Sequence, residues 1–96
     1  MIDISIEQYN EIIKNGEKKI INFSAPWCSP CRAFKPQLDK LSKELNIPFY
    51  TINIDENAEL AETLGIRNVP TTFVYGAEET KILGIKPIEE VKSLLV

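Results

Sequence analysis

Histidine is absent from this 96-residue chain, and cysteine occurs only as Cys28 and Cys31. Without an imidazole there is no Ser-His-Asp triad and no Cys-His pair, so the usual engines of serine hydrolases and cysteine proteases are missing. A closed structural zinc site wants four Cys or His ligands, and this chain leaves half of that set to carboxylates or to a second copy. Positive charge is scarce as well: 11 Lys and Arg against 14 Asp and Glu give a net charge of −3, with the basic residues dispersed. That balance argues against nucleic acid and against anionic membranes as partners. No apolar run approaches the roughly 20 residues of a membrane span, and Met1-Ile2-Asp3-Ile4 lacks the basic start of a secretory leader. The expectation is a cytoplasmic protein, in a compartment that keeps thiols reduced.

What remains is an ordinary globular composition, 44% apolar and 26% charged, with six prolines scattered rather than clustered. Such a chain closes one core and has no material for a second, so residues 1–96 are expected to form a single domain. Its radius of gyration should be roughly 12–13 Å.

Periodicity divides the chain into alternating elements. Ile2 and Ile4 lie in a short extended stretch, and Ser5 with Gln8 makes a capping box that opens a helix ending near Gly16. Ile20-Ile21-Asn22-Phe23 is an apolar, β-branched run that reads as a strand buried on both faces, central in its sheet. From Cys31 to Leu45, Phe34, Leu38, Leu41 and Leu45 recur at helical spacing, with Pro36 inside the helix. Ile47 to Ile54 supplies the next strand, with β-branched and aromatic residues from Phe49 on. Asp55 or Asn57 can cap the helix carrying Leu60, Ala61 and Leu64, and Gly65 stands where a left-handed cap is wanted. Thr71–Tyr75 and Thr80–Leu83 form a hairpin around Gly76–Glu79, and a last helix starts near Pro87 with Val91, Leu94 and Leu95 turned inward. The order is βαβαβαββα. Early alternation demands parallel crossovers and the late hairpin an antiparallel pair, which predicts an α/β fold with a mixed central sheet and helices on both faces.

Cys28-Ser29-Pro30-Cys31 sits where the buried strand hands over to the long helix. Unpaired N–H groups and the positive end of the helix dipole favour an anion there, which lowers the first thiol's pKa and populates the nucleophilic thiolate. On position, Cys28 at the exposed end attacks and Cys31, drawn into the first turn and buried, resolves. A structural disulfide and half of a metal site are the competing uses of the pair. The first is weakened because so short a loop removes little entropy from the unfolded chain. The pattern of two cysteines two residues apart near a βαβ unit is itself a redox signature.

Ala25-Pro26-Trp27-Cys28-Ser29-Pro30-Cys31-Arg32, followed by Pro36, resembles the active-site segment of the thioredoxin family. Val69-Pro70-Thr71 resembles the family's cis-proline segment, Gly65-Ile66-Arg67 precedes it as in many members, and Gly84 resembles the glycine that closes the active-site surface. With the element order, the resemblance covers essentially the whole chain and implies a thioredoxin-like three-layer sandwich. It implies a thiol–disulfide oxidoreductase reducing protein disulfides, with Cys28 and Cys31 catalytic and Trp27, Ser29, Pro30, Asn22 and Pro70 supporting them. Trp27, Ile54, Val69, Pro70, Gly84 and Ile85 resemble a shallow docking surface, and Val69 would offer backbone groups to an extended substrate segment. No cofactor or metal is implied beyond the redox-active disulfide. The expected partners are disulfide-containing proteins and a thioredoxin reductase, with the chain a monomer. A glutaredoxin-like carrier reduced by glutathione and a non-catalytic binding module are the rival readings.

Four positions depart from the family pattern. Ser29 replaces the usual glycine between the first cysteine and the proline, and bears on the reduction potential. Asn22 stands where a buried aspartate is usual, and Thr51 where a lysine commonly accompanies it. The hairpin after Tyr75 is short and lacks an Asn-Gly turn. An amide cannot take the proton of Cys31, so water or the departing thiolate must do so, and losing a buried negative charge should leave Cys28 the more acidic.

Overall fold

The computed structural model describes residues 1–96, with five strands and four helices in the expected order. They are β1 (Ile2–Asp3), α1 (Ile6–Ile12), β2 (Lys19–Ser24), α2 (Ser29–Leu45), β3 (Phe49–Asn53), α3 (Ala58–Thr63), β4 (Thr71–Tyr75), β5 (Glu79–Leu83) and α4 (Ile88–Ser93). The sheet runs β1-β3-β2-β4-β5, parallel between β1, β3 and β2 and antiparallel from β2 through β4 to β5. β2 is central and buried along its length except at Ser24, as its apolar run requires. Alternation along β2 builds two cores. Ile20 joins Phe49, Val74 and Ile82 under Phe34, Leu38 and Leu41 of α2 and Val91 of α4. Ile21 and Phe23 face the other way with Ile52, against Tyr9 of α1 and Leu60 and Ala61 of α3. This is the three-layer sandwich, with a radius of gyration of 12.2 Å.

Local chemistry sets the element ends. Ser5 and Gln8 form the capping box of α1 reciprocally, at 3.3 and 2.9 Å. The helix ends at Ile12, short of Gly16, because Lys14 and Asn15 donate to Glu11 and Ile12 in tighter i→i−3 bonds that taper the last turn. α2 starts at Ser29 rather than Cys31, with Pro30 in its first turn, where a missing N–H costs nothing. Asn57 occupies the cap position of α3, but its side chain donates back to the Asn53 carbonyl at 3.0 Å instead of capping. Gly65 (φ +71°) and Ile66 return N–H bonds to Glu62 and Ala61, the paired bonds of a Schellman close. Glu79 pairs with Tyr75, so the hairpin turn is confined to residues 76–78. Pro87 is the cap residue of α4 rather than its first helical position.

Candidate active site

β2 delivers the chain to the head of α2, and the four residues between them turn so that Cys28 becomes the cap residue of the helix. Its backbone is extended (φ −89°, ψ 107°), and its Sγ takes the place of a capping oxygen, accepting the Cys31 N–H at 3.2 Å. Cys28 and Cys31 are joined as a disulfide, with Cα atoms 5.3 Å apart. Exposure does not distinguish the two cysteines: Cys28 is 4% accessible and Cys31 5%. The expectation of an exposed Cys28 beside a buried Cys31 is corrected in this oxidised state, because each sulfur shields the other and Ala25, Ile54 and Val69 pack around both. Their surroundings do distinguish them. Cys28 Sγ lies 3.6 Å from the Val69 carbonyl, whereas Cys31 lines a cavity of about 340 Å³ on the side of β1 and β3.

The rim around Cys28 comes from three loops. The Val69–Pro70 peptide is cis, and the Pro70 carbonyl accepts the Gly84 N–H at 2.8 Å, which joins the loop before β4 to the loop after β5. Ile54 and Val69 pack directly against the cysteine pair, Gly84 is joined to the rim by its bond to Pro70, and Ile85 follows it, exposed. Trp27 is 63% exposed, and its indole Nε1 donates to both carboxylate oxygens of Asp55, at 3.2 and 3.1 Å. Ser29 and Pro30 are exposed at the first turn of α2. Arg32 folds back over that turn, donating to the Pro26 carbonyl at 2.7 Å and to Ser29 Oγ at 3.2 Å. Asp55 and Arg32 were not among the expected site residues. No spacing signal links Trp27 to a residue 28 positions away, whereas the Ser29–Arg32 pairing follows from i,i+3 geometry.

Beneath α2, Asn22 is 3% exposed and fully hydrogen-bonded. Its Nδ2 donates to Thr72 Oγ1 at 3.0 Å, and its Oδ1 accepts from Thr51 Oγ1 at 3.4 Å. Thr51 Oγ1 also lies 3.2 Å from Ser24 Oγ. Every member is neutral, so the network satisfies its polar atoms without burying a charge. Thr51, at the position where a lysine is usual, is thus a partner of Asn22 and leaves no ammonium to be matched.

The chain matches the Thioredoxin family model over residues 1–95. Among curated proteins it is 36% identical over 95 residues to a thioredoxin of Chlamydia pneumoniae, covering 96% of this chain and 92% of that protein. It is 33% identical over 93 residues to the chloroplastic thioredoxin M4 of Arabidopsis thaliana, covering 93% of this chain. The chain spans about half, 48%, of that relative's length. Among solved structures, chloroplastic thioredoxin z superposes with a TM-score of 0.86 at 27% identity, over 98% of this chain and 93% of that one. The family match, the mixed five-stranded sheet and the bonded cysteines at the head of α2 converge: the chain belongs to the thioredoxin family, and its chemistry is thiol–disulfide exchange at Cys28 and Cys31.

Proposed function

We propose that the chain works in the reducing direction, as a monomeric cytoplasmic carrier that takes electrons from a thioredoxin reductase and passes them to protein disulfides. The observation that carries this reading is the position of Cys28 Sγ, held at the cap of α2 by the Cys31 N–H and facing the Val69 carbonyl. The donors and the helix dipole that stabilise the sulfur there also favour a thiolate once the pair is reduced.

In this reading the Cys28 thiolate attacks one sulfur of a substrate disulfide, forming a mixed disulfide and releasing the other substrate sulfur as a thiolate. Cys31, having lost its proton, then attacks Cys28 Sγ. The Cys28–substrate bond breaks, the Cys28–Cys31 bond forms, and the second substrate sulfur leaves as a thiolate. Two electrons pass from the dithiol to the substrate disulfide. Trp27, Ile54, Val69, Pro70, Gly84 and Ile85 form the docking surface, with Val69 offering backbone groups to an extended segment. Ser29 and Pro30 shape the turn, and Asn22 supports it from below. The Trp27–Asp55 bonds favour this use of Trp27, since they hold a largely exposed indole in one orientation beside the nucleophile.

Insulin reduction, driven in parallel by NADPH with a thioredoxin reductase and by glutathione, tests the proposal. Turnover with the reductase, and little with glutathione, is expected. Preference for glutathione overturns the assignment of donor, and retained biological function in Cys28→Ser overturns the catalytic reading altogether.

A further inference from the structure

We propose that Asp3, on the edge strand β1, is the proton acceptor for Cys31. This rests on the reading of Cys31 as the resolving thiol. Strand register puts Asp3 opposite Thr51, Thr51 opposite Asn22, and Asn22 opposite Thr72. Paired residues of neighbouring strands point to the same face, so these four side chains form one polar row across the sheet on the side covered by α2. Three of the four are buried and neutral, and Asp3 at the edge is the only ionisable member. The cavity beside Cys31 opens where the row reaches that edge, lined by Asp3, Ser24, Asn53, Arg32, Lys35 and Cys31 itself. At about 340 Å³ it has volume for several waters, each taking about 30 Å³ in the liquid, and Asp3, Ser24, Asn53 and Arg32 on its wall give them partners.

Asp3 is the only carboxylate lining this cavity. The chain has no histidine, and the Asn22 amide does not ionise and is already bonded to Thr72 and Thr51. Arg32 and Lys35 from α2 face the same cavity, but as cations they are donors only and offer no lone pair for a proton. Glu56, after β3, borders the adjoining cleft with Asp3 and is engaged by Asn53 Nδ2 at 3.1 Å. Asp3 takes part in no ion pair.

The step balances without another reactant. With substrate held on Cys28, the Cys31 S–H gives its proton through cavity water to the Asp3 carboxylate, and the Cys31 electron pair forms the bond to Cys28 Sγ. The substrate sulfur departs with the electron pair of the broken bond, and Asp3 returns the proton to bulk solvent across the exposed edge.

Mixing the reduced protein with Ellman's reagent separates the two chemical steps, since the first thionitrobenzoate release reports attack by Cys28 and the second reports attack by Cys31. Asp3→Asn is expected to slow the second release by about tenfold to a hundredfold below neutral pH, with the first release unchanged. The deficit should close as rising pH ionises Cys31 directly, and Asp3→Glu should restore the second release. A second release in Asp3→Asn equal to that of the wild type at every pH overturns the proposal. So does equal slowing of both releases, which is the mark of a merely structural residue. A Cys28→Ser protein whose single release is as fast as the wild type's first release overturns the assignment of the cysteines instead.

Discussion

Asn22 lies at the centre of the sheet with both ends of its amide in use, donating to Thr72 and accepting from Thr51. Asn22→Asp replaces a donor with a second acceptor and puts a carboxylate where no cation is paired with it. Burial raises the pKa of that carboxyl above its unfolded value, so the cost is felt at neutral pH and relieved as pH falls and the group protonates. Urea unfolding should report a loss of about 2–4 kcal/mol at pH 7 that shrinks toward pH 5. Thiolate absorbance of the reduced variant should show Cys28 titrating at higher pH than in the parent. An unchanged curve would mean that position 22 is not electrostatically coupled to the active site. The amide itself is plain in the sequence, but its partners are not. Thr51 and Thr72 are 29 and 50 residues away and meet it only through strand register.

At the scale of elements, the β4–β5 turn is pressed against the end of α4. A side-chain carbon at Gly76 would overlap the Leu94 carbonyl, which is backbone and cannot swing aside. Gly76→Ala should therefore destabilise the fold by about 1–3 kcal/mol, the usual cost of overpacking, while the rate of insulin reduction by the folded fraction stays unchanged. Thermal unfolding measured beside the reduction assay checks both halves. On the α2 side, Leu38 is fully buried between sheet and helix, and Leu38→Ala should cost about 2–5 kcal/mol. Elements were legible wherever one local rule governed them: the Ser5–Gln8 box, the helical spacing through Leu38, the β-branched run of β2 and the close at Gly65. Their ends were less legible. Pro87 and Asn57 stand at cap positions without capping through a side chain, and a two-strand pairing rather than composition decides that Glu79 belongs to β5.

At the scale of the whole molecule, the second core carries a pH dependence. Burial pushes the phenols of Tyr9 and Tyr75 above their ordinary value, and the nearby Glu79 carboxylate adds to the shift. Below the unfolded value near pH 10 the stability these phenols contribute is fully present, and it is lost as pH rises further, because the unfolded chain then ionises more readily than the folded one. Lys19 titrates in the same window with the opposite sign, since burial pushes its ammonium below the ordinary value. The tyrosine contribution is therefore read as a difference. Tyr75→Phe should lose stability less steeply than the wild type between about pH 9.5 and 11, followed by urea midpoints. The fold itself was legible at this scale, because alternation followed by a hairpin leaves few arrangements of the sheet. The cysteine site was legible as chemistry, through Cys28, Cys31 and the distant Val69-Pro70-Thr71. The convergence of Asp3 and Lys35 on one cavity beside Cys31 was not, since only the completed sheet joins residues from β1 and α2.

Trapping of the mixed disulfide separates the roles of the two cysteines. A disulfide substrate is mixed with the reduced Cys31→Ser and Cys28→Ser variants at neutral pH, and the adducts are mapped by mass. Cys31→Ser should accumulate a stable adduct on Cys28 through the first step alone, while Cys28→Ser should react at least about tenfold more slowly, because its remaining thiol lacks the cap position. Adduct formation on Cys31 at the same rate or faster would contradict these roles.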